Sequence, residues 1–197
     1  MPDIILVRHA ATAWSGRRYC GRSDPPLSEE GAAAAARLAA ELAPTVGADW
    51  LVVSSPSTRA LATARAIAAA VGVDAIEIDE RWREADFGIA EGRTFEDLAI
   101  LAPDVAAALA AGTLTIDWPG GETNRALEAR VASAWAELVG REGPAVVVTH
   151  AGPLLHAAAI AGARSVAASD LVEPAGYVRL QLADAGRPGS PVLPSPA

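Results

Sequence analysis

Short apolar segments of β type alternate along the chain with longer alanine-rich segments whose apolar positions recur at helical spacing. The predicted strands are Asp3 to Arg8, Trp50 to Ser54, Ala75 to Ile78, Ala145 to Thr149 and Tyr177 to Leu182. The predicted helices are Ser28 to Leu42, Ser57 to Val71, Phe95 to Ala111, Glu122 to Val139 and Pro153 to Ala161. This alternation predicts an α/β fold, a three-layer α/β/α sandwich with a mostly parallel central sheet.

The length of 197 residues favours one domain with one core. Residues 1–185 are predicted to form that domain, and residues 186–197, which contain four prolines and two glycines, are predicted to form a loose tail. No charge-free apolar run of about 20 residues occurs, and no basic region precedes an apolar stretch at the N-terminus. The chain is therefore expected to be a soluble, unsecreted, cytoplasmic protein that does not bind membranes.

The charged residues limit which ligands and catalytic mechanisms are possible. The formal net charge of −8 disfavours nucleic acid and anionic membranes as partners, so an anionic ligand must be held by a local cluster of cations. All sixteen cationic residues are arginines, which excludes a P-loop lysine and a lysine Schiff base. A single cysteine, Cys20, excludes an intrachain disulfide. No His-Glu-x-x-His spacing or similar ligand pattern occurs, so neither a metal nor another cofactor is expected.

Two predicted strands end in a histidine. Arg8 and His9 follow the apolar run of the first strand, and His150 follows the run that ends at Thr149. The chain has three histidines, so two of them at equivalent strand ends point to chemistry rather than to core packing.

Two further polar clusters also follow strands. Arg59 lies in the first turn of the helix after the strand that ends at Ser54, and Glu84 lies in a charged segment after the strand that ends at Ile78. Each cluster alone could be a helix cap or a solvated loop. Together with the histidines, however, they supply the cations, the nucleophile and the proton donor that phosphoryl transfer requires.

These residues resemble the histidine phosphatase superfamily, which includes phosphoglycerate mutases and many small phosphatases. The resemblance spans nearly the whole chain in ordered blocks: Leu6-Val7-Arg8-His9 with Thr12, Gly21 to Gly31, Ser54-Ser55-Pro56 through Arg59 with Thr63-Ala64, Glu84 with Asp86-Phe87-Gly88 and Glu91-Gly92, Pro119-Gly120-Gly121-Glu122, and Val148 to Gly152.

The resemblance implies a role for each matching residue. His9 would attack phosphorus and become a phosphohistidine, while Arg8, Arg59 and His150 would hold the phosphoryl oxygens. Glu84 would protonate the leaving alkoxide and then take a proton from the water that hydrolyses the phosphoenzyme. The implied phosphate or substrate contacts are completed by four further residues, Thr12, Ser15, Arg22 and Gly152.

The chain departs from the family pattern after His9. Ala10 and Ala11 stand where the family usually has glycine and glutamate, so the backbone must accept a methyl group and one carboxylate is missing. Ser15 stands in place of a phosphate-contacting asparagine and has a shorter reach. Arg22 could equally belong to a solvated basic loop, and His156 is expected to be a packed helix histidine.

The expected substrate is a small phosphorylated metabolite. The segment from Arg93 to Thr149 is shorter than that of typical phosphoglycerate mutases, which favours an open site and hydrolysis. Several blocks are similar to those of α-ribazole-phosphate phosphatases. A mutase and a non-catalytic phosphate-binding protein remain as alternatives, and the alanine-rich helices could support a homodimer.

Overall fold

A computed structural model describes residues 3–163 and 171–181. Within this part of the chain the strands are β1 Asp3–Arg8, β2 Leu51–Ser54, β3 Glu77–Ile78, β4 Ala145–Thr149 and β5 Tyr177–Gln181. The α-helices are α1 Glu29–Leu42, α2 Thr58–Val71, α3 Phe95–Leu101, α4 Pro103–Ala110, α5 Asn124–Val139 and α6 Ala151–Ile160. Two short 3₁₀ helices, Glu80–Trp82 and Gly88–Ala90, lie between β3 and α3.

The strands form one sheet in the order β3-β2-β4-β1-β5. The first four strands in that order pair in parallel, and β5 pairs antiparallel to β1. In the β1–β4 register Arg8 lies opposite Thr149, so the two histidines that follow them leave the sheet side by side. The predicted mostly parallel sheet is confirmed.

The central strands are buried on both faces, because alternate side chains point to opposite sides of a strand. On one face Ile5 and Val7 pack with α1 and α2 through residues such as Leu38 and Ile67. On the other face Ile4 and Leu6 pack with residues of α5 and α6. Helices therefore cover both faces, and the three-layer prediction is confirmed.

The predicted helix from Phe95 to Ala111 is wrong in one respect, because it is two helices. Ala102 adopts φ −146° and ψ 72°, which ends α3, and Pro103 begins α4 at its first position. Proline disfavours the helical conformation in the residue before it, which explains the break.

The predicted boundaries of the other elements are closer to those in the structure. β3 is reduced to Glu77–Ile78, two residues shorter than predicted. The predicted end of the last strand at Leu182 and the predicted tail at 186–197 lie outside the described residues. In the described part of the chain, no helix is long and apolar enough to cross a membrane.

Candidate active site

The carboxyl ends of β1, β2 and β4 bring the predicted catalytic side chains together. The His9 amide donates to the Thr149 carbonyl at 2.9 Å, and the Ser55 amide donates to the Val148 carbonyl at 2.9 Å. The imidazoles of His9 and His150 lie with their ring centroids 5.0 Å apart. Neighbouring parallel strands thus place the site at the sheet edge where α/β proteins bind ligands.

The hydrogen bonds of His9 define which ring nitrogen carries the proton. Nδ1 lies 2.7 Å from the carbonyl of Ala10, and Nε2 lies 3.2 Å from Nε of Arg59. Because a guanidinium only donates, Nε2 is the acceptor and Nδ1–H donates to Ala10. Burial, followed by the charge of Arg59, lowers the pKa of His9 to about 3, so the ring is neutral near pH 7.

Arg59, from the first turn of α2, is fully buried and lies between the two histidines. Its Nη2 donates to Nδ1 of His150 at 3.1 Å. The remaining His150 nitrogen, Nε2, lies 2.8 Å from Oγ of Ser55, so Nε2–H is the donor of that bond. Burial, with the charge of Arg59 acting in the same direction, lowers the pKa of His150 well below its usual value.

Backbone carbonyls of the loop 20–23 also hold Arg59. Nη1 donates to the carbonyl of Ser23 at 2.7 Å, and Nη2 donates to that of Gly21 at 2.9 Å. The loop in turn is fixed by Glu91, whose carboxylate accepts from the backbone amides of Arg22 and Ser23 and from the Ser23 hydroxyl. Burial alone would raise the pKa of Glu91, but these hydrogen bonds outweigh it and the pKa is lowered.

Glu84 lies buried between its own loop and the start of α6. Its carboxylate oxygens accept from the amides of Ala85 at 3.0 Å and Gly152 at 3.3 Å. Burial raises the pKa of Glu84, although these amides and the nearby arginines act against the rise. The arrangement favours a carboxylic acid that holds a proton more tightly than an exposed glutamate does.

An arginine of α5 fixes the backbone that carries Glu84. Arg130 donates to the carbonyls of Arg81 and Arg83, each at 2.6 Å, and to that of Glu84 at 3.1 Å. Its Nε lies 2.7 Å from Oε1 of Glu122, which keeps the guanidinium in place. Arg130 therefore positions the segment 81–84 without being in the predicted set of site residues.

Arg8 extends the cationic side of the site. Its Nη1 donates to the carbonyl of Val172 at 2.7 Å. Its Nε is a buried side-chain nitrogen without a hydrogen-bond partner among the described residues. A buried donor of this kind is suited to an anionic oxygen.

The remaining contacts predicted from sequence lie in the connection between β1 and α1 and at the start of α6. Thr12 and Ser15 bond to each other, since the Thr12 amide donates to Oγ of Ser15 at 2.9 Å and the two hydroxyls lie 3.4 Å apart. Nη2 of the exposed Arg22 lies 3.8 Å from Oε2 of Glu122. Gly152 contacts Glu84, as described above.

Ala10 shows how the chain accepts alanine after the histidine. Ala10 is fully buried. Among the described residues other than glycine, a positive φ occurs at Ala175 and not at Ala10, so the backbone at position 10 does not require glycine. The Ala10 amide donates to Oγ1 of Thr63 at 3.1 Å. The predicted packing role of His156 agrees with its burial and with its Nε2 lying 3.1 Å from Oδ1 of Asn124.

Sequence reasoning gave no role to Ser55, Thr63 or Arg130, although Ser55 and Thr63 lie in a block that carries the family resemblance. Thr63 had a usable signal, because it follows Arg59 by four positions and so lies on the same helix face. Ser55 and Arg130 had weaker signals, since their partners are brought to them only by the fold. No group of three or more His, Cys, Asp or Glu side chains suited to a metal ion occurs within residues 3–163 and 171–181.

The site thus contains two strand-end histidines, a buried arginine between them and a buried glutamate. The family model of the histidine phosphatase superfamily (branch 1) matches residues 4–187 of the chain. The chain belongs to this superfamily, whose members are phosphatases or mutases.

Individual relatives carry both kinds of activity in their names. The probable phosphoglycerate mutase GpmB of Enterobacter sp. (strain 638) is 38% identical over 138 residues, which is 70% of this chain and 63% of the relative. The chain thus matches less than two thirds of the length of this curated relative. A solved mycobacterial glucosyl-3-phosphoglycerate phosphatase superposes with a TM-score of 0.79 at 27% identity, covering 90% of this chain and 89% of the other. A phosphoglycerate mutase from Thermus thermophilus gives a TM-score of 0.71 at 30% identity, covering 97% of this chain and 96% of the other.

Proposed function

We propose that the protein is a metal-independent phosphomonoesterase that hydrolyses a small phosphorylated metabolite through a phosphohistidine on His9. The observation that carries this proposal is the pair of hydrogen-bond contacts made by the His9 ring, which assigns its tautomer. Its Nδ1–H is engaged by the Ala10 carbonyl, so the unprotonated nitrogen is Nε2, which faces Arg59. A histidine is a nucleophile only through such an unprotonated ring nitrogen.

Hydrolysis would proceed in two steps. In the first, His9 Nε2 bonds to phosphorus, the ester P–O bond breaks, and Glu84 gives its proton to the leaving alkoxide. In the second, water attacks phosphorus, Glu84 takes a proton from that water, and the P–N bond breaks to release phosphate. Arg8 and Arg59 supply the donors for charge on the phosphoryl oxygens. His150 joins them by exchanging its Nε2–H bond to Ser55 for one to the phosphoryl group.

Hydrolysis is favoured over mutase chemistry by the short segment between Arg93 and Thr149, which leaves less chain to cover the site. The likeness to a solved phosphatase across 90% of the chain also supports it. The identity to a probable phosphoglycerate mutase keeps a mutase as the second candidate. α-Ribazole phosphate is the candidate substrate that the sequence blocks suggest.

Phosphate release in the presence of chelator tests the proposal. Wild-type and His9→Ala proteins are compared on α-ribazole phosphate, phosphoglycerates, sugar phosphates and nucleotides. Wild type should release phosphate and form an acid-labile, base-stable phosphoenzyme, and His9→Ala should do neither. Isomerised phosphoglycerate that depends on a bisphosphate primer would establish the mutase instead, and phosphate binding without turnover would establish a binding protein.

Glu84→Gln tests the acid. It should slow hydrolysis of an alkyl phosphate by about 10²–10⁴-fold, because the alkoxide then leaves without a proton. Cleavage of p-nitrophenyl phosphate in a single turnover should fall far less, since nitrophenolate leaves unprotonated. Equal losses on both substrates would remove Glu84 from this role.

A further inference from the structure

A cavity of about 160 Å³ opens beside Glu84. Glu84, Ala151 and Gly152 line it on the side of the phosphoryl site. Because the proposed acid must reach the leaving oxygen, the alcohol part of the substrate lies on the Glu84 side of phosphorus. The cavity is therefore the place where that part of the substrate would lie.

The walls of the cavity are apolar. Three aromatic side chains form a cluster within its lining: Phe87 and Trp118 have ring centroids 4.3 Å apart, and Tyr19 lies 5.9 Å from Trp118 and 6.2 Å from Phe87. Leucines complete much of the remaining wall, among them Leu109, Leu114 and Leu155. Aromatic rings pack well against such edges and tilted faces.

The charges around the cavity disfavour an anionic alcohol. No arginine lines it within the described residues, and burial lowers the pKa of the lining His156, which keeps that ring neutral near pH 7. Glu84 becomes a carboxylate once it has given up its proton. An additional carboxylate on the leaving group would be desolvated next to a like charge, which is unfavourable.

The size of the cavity limits the group that fits. An apolar protein cavity of about 150 Å³ accepts benzene, so the present volume is enough for one aromatic ring. We propose that the alcohol or phenol part of the substrate carries an uncharged planar apolar ring that packs between the Tyr19–Phe87–Trp118 cluster and the leucines. This inference rests on the proposed phosphatase function and specifies its substrate class.

Two phosphates whose alcohols have similar basicity test the substrate class without any variant. Wild-type kcat/KM for 2-phenylethyl phosphate should exceed that for ethyl phosphate by about 10- to 100-fold, the gain expected from burial of one ring. 3-Phosphoglycerate should be hydrolysed less efficiently than 2-phenylethyl phosphate. A ratio near one, or a preference for 3-phosphoglycerate, would overturn the inference while leaving the phosphatase intact.

A matched pair of variants locates the effect in the cavity. Leu114→Arg places a cation in the wall and should lower the phenylethyl-to-ethyl ratio at least tenfold while improving 3-phosphoglycerate. Leu101→Arg makes the same change at an exposed position of α3 outside the lining and should keep the wild-type ratio. A ratio unchanged in Leu114→Arg would also contradict the inference. Absence of both phosphate release and phosphohistidine with all substrates would instead overturn the proposed function, and the substrate class with it.

Discussion

At the residue scale, the same physical cause prepares His9 and Glu84 for opposite roles. Burial disfavours the charged form of each, so it lowers the pKa of the histidine and raises that of the glutamate. The result is a nucleophile that stays neutral and an acid that keeps its proton to a higher pH than an exposed glutamate does. Two groups whose environments shift their pKa values in opposite directions are a usual sign of an acid–nucleophile pair.

Gly152 is predicted to control the position of the acid. A Cβ built on Gly152 would lie 2.5 Å from Oε1 of Glu84, so Gly152→Ala should push the carboxyl group away from its position. We expect kcat on an alkyl phosphate to fall about 10- to 100-fold, as small displacements of catalytic groups do. Stability should change little, because alanine favours the helix by about 0.5–1 kcal/mol and this offsets part of the strain.

A double-mutant comparison separates this effect from general damage. In the Glu84→Gln background, Gly152→Ala should cost much less activity than it does in the wild type, since the group it displaces has already lost its function. If the two losses multiply instead, Gly152 acts independently of Glu84.

At the element scale, α5 acts as a support for the loop that carries the acid. Arg130 reaches from the helix to three backbone carbonyls of the segment 81–84 and is held there by Glu122. Lysine could not make this set of contacts, because only a guanidinium presents a planar fork of donors. Arg130 therefore fixes the loop to the helix, and Arg81 adds a second link through its ion pair with Glu137 of α5.

Arg130→Met should reduce kcat on an alkyl phosphate about 10- to 100-fold, with a smaller loss on p-nitrophenyl phosphate, because misplacing Glu84 matters most for a poor leaving group. Steady-state kinetics on both substrates measure the difference. Arg125→Met, an exposed change on the same helix, is the control and should leave both activities at the wild-type level. Equal losses on the two substrates in Arg130→Met would indicate a general loss of folded enzyme.

The elements also show what the sequence could reveal. The apolar runs predicted the buried strands. Because His9, Arg59 and His150 follow the carboxyl ends of these strands, the sequence also predicted that the three side chains would lie close together. The break at Pro103 carried a local signal, but the apolar periodicity on either side of it pointed to one helix. The carbonyls of the loop 20–23 could not be predicted as ligands of Arg59, because every residue has a carbonyl and only tertiary structure selects which ones point inward.

At the scale of the whole molecule, all three histidines of the chain are buried with lowered pKa values. Below the ordinary pKa of about 6.5, the unfolded chain takes up protons that the folded chain does not, so their contribution to stability is present above that pH and lost as the pH falls. Glu84 acts in the opposite sense, because its raised pKa lets the folded state bind a proton first.

We therefore expect the free energy of unfolding to decrease between about pH 6.5 and pH 5, with net proton uptake on unfolding. The limiting slope for three histidines is about 4 kcal/mol per pH unit, and Glu84 reduces it. Urea titrations at several pH values measure this slope. It should steepen in Glu84→Gln and become shallower in His156→Gln, whereas stability that is constant or rises as the pH falls would contradict the expectation.

Arg59 stabilises the folded site in addition to its proposed role in catalysis, and this affects which residues would be retained during evolution. Its guanidinium joins the loop 20–23 to both histidines, so it serves the folded state even when no substrate is bound. In a descendant that abandoned catalysis, replacing the nucleophile would leave one Arg59 donor, Nε–H, without its partner, whereas replacing this arginine would leave several buried acceptors without a donor. Selection for folding alone would then preserve Arg59 after selection for turnover had ended. In distant relatives, retention of this arginine is consequently weak evidence of activity, and the identity of the residue at position 9 is the more informative marker.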